Sequence, residues 1–167
     1  MKTLIIIFLV AFSHIIVNAQ TFSQIISSLE KYAKDGFKNR LGKKLNDSED
    51  GKTSFYQPNF KLPYGDAQIS IEKDRKLCII TWMIPMDKAK AIIPEFEKIM
   101  ENKTKNDPDY FIENNGSKTQ GYELKDLYMA DGYTGEDLLM MSAVYSIDQK
   151  DASKGNYYIQ ILGDIEE

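Results

Sequence analysis

Histidine is almost absent from this sequence. Its one occurrence, His14, lies in an apolar amino-terminal stretch that reads as a cleaved secretory signal, which leaves the mature chain with none. That excludes serine or cysteine triads built on a histidine base, histidine-ligated zinc and histidine phosphotransfer. Cysteine is as scarce. Cys78 stands alone, so no intramolecular disulfide can form, and its apolar neighbours make it a small buried hydrophobe rather than a nucleophile. No basic cluster is longer than Lys43-Lys44. Loss of Lys2 with the signal leaves 20 basic residues (21 minus 1) against 25 acidic, a net charge of −5. Nucleic acid and anionic membrane surfaces are therefore poor partners. A glycine-rich phosphate loop and a nucleophile elbow are also missing, and no cofactor is implied.

The signal itself is the sequence MKTLIIIFLVAFSHIIVNAQ: one lysine, a long apolar run, then Val17-Asn18-Ala19 with small residues where a signal peptidase reads. A membrane anchor is the competing reading. Ser13, His14 and Asn18 interrupt the run, however, and no basic stop-transfer cluster follows. Downstream there is no second long apolar segment, so no membrane span is expected after cleavage. Residues 1–19 are thus read as a signal peptide and residues 20–167 as a single domain, exported to the periplasm or secreted. The absence of disulfides favours a bacterial envelope over a eukaryotic secretory route. Asn46-Asp47-Ser48, Asn102-Lys103-Thr104 and Asn115-Gly116-Ser117 would be glycan acceptors in the latter and are loop residues in the former.

The strongest structural signal is residues 67–84. Ala67, Ile69 and Ile71 alternate with polar residues, a charged turn follows at Lys73-Asp74-Arg75-Lys76, and 77–84 is apolar on both faces apart from Thr81. This predicts a hairpin whose second strand is covered from both sides. Thr21 with Gln24 forms a capping box, and Phe22, Ile25, Ile26, Leu29, Tyr32 and Ala33 make the stripe of a first helix over about 23–40. A second hairpin is expected from 43–46 and 52–57 about Asp50-Gly51. Asp87 is a candidate cap for a second helix striped by Ala89, Ile92, Ile93, Phe96, Ile99 and Met100, with a kink at Pro94. Strands are expected at 110–113, 122–129, 138–147 and 156–162, with 138–144 joining 77–84 as a candidate for sheet centre. The order is helix, four strands, helix, four strands. Short turns force neighbouring strands to be antiparallel, so the fold expected is a single α+β domain with a mostly antiparallel sheet and two helices.

Little in the pattern carries chemistry. Glu49 with Asp50, Asp107 with Asp109, and Glu136 with Asp137 are dense acidic spots, but adjacency in sequence does not set the separation that carboxylate-pair catalysis requires. Residues 46–57 fit a calcium loop badly, since Asn46 and Gln57 fall where charged carboxylates are needed, and no metal site is expected. Tyr64, between Pro63 and Gly65, and Tyr133, between Gly132 and Thr134, stand in turns, where an aromatic ring has little core to enter. With the neighbouring Glu136 and Asp137 they are the nominated binding residues. No catalytic residue is nominated. The function expected is a non-enzymatic binding or interaction domain with an unknown protein or small-molecule partner, the alternative being a carboxylate-based hydrolase without histidine. A homodimer with mutually covering sheet faces is also expected, because two helices are few for two strands apolar on both sides. Amino-terminal sequencing of protein from the producing cell should begin at Gln20, and retention of the first nineteen residues would overturn the export reading and restore His14.

Overall fold

Residues 20–117, 122–130, 137–146 and 155–164 are described in the computed structural model. The first helix, α1 (Phe22–Lys34), starts at the capping box: the Gln24 amide donates to Thr21 Oγ1 at 3.3 Å and the Thr21 amide to Gln24 Oε1 at 2.8 Å. It ends at the last residues of its stripe, short of the expected 40. Gly36 takes φ +61°, its amide returns to the Ala33 carbonyl and the Phe37 amide to the Tyr32 carbonyl, the bond pair of a Schellman ending. Phe37 is then fully buried, so residues 35–40 form a packed turn and not a frayed helix end.

Four strands follow, β1 (Leu41–Asp47), β2 (Thr53–Pro58), β3 (Asp66–Glu72) and β4 (Leu77–Pro85), then α2 (Met86–Asn106). Asp87 does not cap α2. Pro85 occupies that place, its fixed φ leading into the helix, and Asp87 sits in the first turn, where a carboxylate favours the positive end of the dipole. The helix runs on through Pro94 without interruption. Four more strands complete the chain: β5 (Tyr110–Ser117), β6 (Tyr122–Ala130), β7 (Asp137–Ser146) and β8 (Asn156–Asp164). Asn115-Gly116-Ser117, expected in a loop, lies inside the β5–β6 ladder.

All eight strands form one antiparallel sheet in the order β1-β2-β3-β4-β8-β7-β6-β5, an α+β single domain. Each half is a helix followed by a four-strand meander, and the meanders join where β4 pairs with β8 from Leu77↔Asp164 to Pro85↔Asn156. The neighbour of β4 at the sheet centre is therefore β8, not β7. Cys78, Ile80, Trp82 and Ile84 of β4 and Tyr157, Ile159 and Ile161 of β8 turn to the same face and are buried with Leu29, Ala33, Ala89, Phe96 and Met100 of the two helices. Phe22 brings the helices onto the strands, its ring 5.9 Å from Trp82 and 6.4 Å from Phe96.

The expectation of two covered faces does not hold, for a geometric reason. Eight strands spaced by about 4.8 Å span about 34 Å, whereas two helices side by side cover about 20 Å. Both helices are spent on one face. On the other, Ile79 and Thr81 are half-buried and Met83 is exposed.

The closest approach in the helix layer is at the end of α1. Ala33 lies on the cross-strand pair Cys78 and Gly163, with the buried thiol 3.0 Å from the Gly163 carbonyl and 3.5 Å from that of Ala33. A Cβ at Gly163 would come within 2.2 Å of the Ala33 carbonyl oxygen, a backbone atom with no freedom to retreat alone. Gly163→Ala should therefore lift α1 from β8 and cost about 1–3 kcal/mol in a denaturant melt; a neutral result would show that α1 does not sit this close.

Candidate binding face

Side chains alternate across a strand, so the residues that feed the core also fix which ones face outward. The outward set makes continuous rows across the sheet. Gln68, Thr81, Gln160, Ser142, Asp126 and Glu113 are successive cross-strand partners from β3 to β5 and form a polar row. Within it, Gln160 Nε2 donates to Thr81 Oγ1 at 3.2 Å. One flanking row runs through Met83, Tyr158, Val144 and Leu124, and the other through Phe55, Ser70, Ile79 and Leu162. A polar band thus lies between two largely apolar ones.

Charge on this face has one sign. From β2 across to β5, the outward positions among the described residues carry Asp66, Glu72, Asp137, Asp126 and Glu113 and neither lysine nor arginine. Lys125, next to Asp126 in sequence, points to the helix side and pairs with Glu97 of α2 at 3.2 Å. Asp126 is only 7% exposed, and its Oδ1 has no hydrogen-bond partner. Directly across from it stands Glu113. Beside this pair, on the same face, Phe111 and Tyr128 stack at 5.5 Å with an interplanar angle of 15°. Burial pushes the Tyr128 phenol above its ordinary pKa, and the carboxylates of Asp126, Glu113 and Asp137 push it further.

No family model, curated protein or solved structure matches this chain. The site therefore rests on its geometry.

Two of the residues nominated from sequence, Tyr133 and Glu136, lie outside the described residues. Asp137 opens β7 opposite Ala130 and belongs to the acidic corner around Tyr128. Tyr64 is 52% exposed and sits at the other end of the sheet, with φ +67°. Its turn is pinned on both sides: Trp82 Nε1 donates to the Pro63 carbonyl at 3.1 Å, and a Cβ on Gly65 would come within 1.9 Å of the Met83 carbonyl. The left-handed conformation costs a tyrosine on the order of 1 kcal/mol, which this anchoring offsets. Tyr64 and Asp137 are therefore not one cluster. Asp126, Glu113, Phe111 and Tyr128 escaped the sequence reading because they belong to strands whose register was unknown, and only the helical or strand period was visible in them.

Two polar features lie on the helix side. A groove of about 400 Å³ between α1 and α2 is lined by Ser23, Ser27, Ile99 and Asn102 and crossed by the Glu30–Lys103 ion pair at 2.6 Å, which satisfies its own charges. Deeper, Tyr145 donates to Glu97 Oε1 at 2.5 Å, and the ring of buried Tyr157 lies 4.9 Å from that of Tyr145. Both phenols are raised well above their ordinary pKa, by burial first and by the Glu97 carboxylate in addition. Tyr145 is a hydrogen-bond donor, and the buried Tyr157 hydroxyl has no hydrogen-bond partner. Because the fold favours their neutral forms, the stabilisation is complete below about pH 10, the unfolded tyrosine value, and is lost as pH rises beyond it. Alkaline titration should show phenolate absorbance from these two appearing together with unfolding, and Tyr145→Phe should lose one of the late-titrating groups; early, reversible ionisation of both in the folded chain would contradict the buried cluster.

Proposed function

We propose that this chain is an exported, non-enzymatic binding domain that meets a protein partner through the open face of its sheet. The observation that carries the reading is the sheet face that no described helix covers, where Ile79, Leu162, Tyr158, Val144 and Leu124 flank a polar row in a region wide enough for a macromolecular contact. A small molecule is favoured by concavity, and the described grooves lie on the helix side. A second copy of the chain is the less suitable occupant. Face-to-face dimerisation would bring Asp66, Glu72, Asp126 and Glu113 against their own likeness, which like-charge juxtaposition opposes. For the hydrolase alternative, the facing carboxylates Glu113 and Asp126 lie across β5 and β6, outside the described grooves. Tyr64 at one end of the face and Asp137 at the other extend the contact, and export places it outside the cytoplasm.

Site-directed crosslinking tests this reading. Cysteine introduced at Met83 or Gln68 on the open face, and at Lys90 on the exposed side of α2, can carry a photo-crosslinker, since Cys78 is buried and stays unlabelled. In the producing cells the open-face positions should give discrete protein adducts and Lys90 none. Equal adducts from both sides, or none from the open face, would overturn it.

A further inference from the structure

The geometry points to an organic-cation site at the β5–β6 corner of the open face, where Glu113, Asp126, Phe111 and Tyr128 receive the guanidinium or ammonium group of a basic side chain. This rests on the open face being the contact surface and names the chemistry that the contact recognises. Three observations converge. Asp126 is more than nine-tenths buried, and its Oδ1 lacks a hydrogen-bond partner, a costly state for a carboxylate unless a donor arrives from outside. Glu113 stands directly opposite on the neighbouring strand, and like charges facing each other across a ladder are destabilising until a cation lies between them. The stacked rings of Phe111 and Tyr128 supply a π-surface on the same face, and a cation held by carboxylates gains further from such a surface.

The lysine nearest in sequence cannot serve, because Lys125 is turned through the sheet to Glu97. A metal ion is a poorer fit than an organic cation. Among the described residues no three acidic, histidine or cysteine side chains converge as ligands, so Glu113 and Asp126 would be left to hold it as a pair. A planar guanidinium suits two carboxylates and a ring face, since it donates in a fork and stacks.

The probe is ethylguanidinium, with ethylurea as its neutral counterpart, n-butylammonium as a second cation and calcium as the inorganic control, each titrated into the mature chain and followed by amide chemical shifts. Both organic cations should shift the amides of Glu113, Asp126 and Ser142 saturably, ethylurea and calcium should not, and Asp126→Asn should weaken ethylguanidinium by about tenfold, the loss of one charge-assisted pair. The apo form of Asp126→Asn should also melt higher than wild type, because an unpaired buried charge is removed. Should Asp126→Asn fail to fold, Glu113→Gln carries the same binding test. Equal response to ethylurea, or a calcium response at the same residues, would overturn the organic-cation site, as would unchanged affinity in the folded variant. Crosslinks from the open face without cation selectivity would remove this site and leave the contact surface standing. Cation binding without crosslinks would do the reverse.

Discussion

The ladder between β4 and β8 is the interaction on which the rest of the molecule depends. It joins two four-strand meanders into one sheet, and among the described residues it is the only place where strands from the two halves pair. Its inward side chains, from Cys78 to Ile84 and from Tyr157 to Ile161, form the floor on which both helices rest. The dependence runs both ways. α1 belongs to the first half, yet it packs on β8 as well as β4, so the approach of Ala33 to Gly163 ties the chain's beginning to its end. Neither β4 nor β8 is paired on both edges without the other meander, and folding is expected to be cooperative across the whole domain.

From this follows the asymmetry of the faces. Once both helices lie on one side, the width of eight strands leaves the opposite side without a helical layer among the described residues. A soluble sheet can leave one face to water if that face is polar, and this one is so only along its middle row. The bands on either side keep Ile79, Leu162, Val144 and Leu124, residues suited to a second covering surface. The charges that remain are all acidic among the described outward positions from β2 to β5, which sets the sign of whatever complements them.

Polar groups on the two sides of the sheet meet different fates. Glu97 on the helix side is held by Tyr145 and Lys125, so its charge is neutralised within the fold. Asp126, one residue along β6 from Lys125, projects the other way, and its Oδ1 finds no donor. The alternation of a β-strand thus separates a potential ion pair by the thickness of the sheet, since neighbours in sequence stand on opposite faces.

The sequence by itself determined the elements. The capping box at Thr21, the stripes of α1 and α2, the hairpin about Lys73-Asp74-Arg75-Lys76 and the burial of Cys78 all follow from local chemistry and period, which act over a few residues and need no partner. Boundaries were less legible: the end of α1 was decided by a Schellman turn that buries Phe37, and the start of α2 by Pro85 rather than Asp87. What only the tertiary structure decided was the pairing. Two apolar strands could claim the sheet centre, and the choice of β8 beside β4 turned on long-range packing with α1 that no local pattern encodes. The acidic corner was hidden for the same reason. Glu113 and Asp126 are separated in sequence and unremarkable in composition, and the register of β5 against β6 alone sets them opposite each other, with no counter-charge between them.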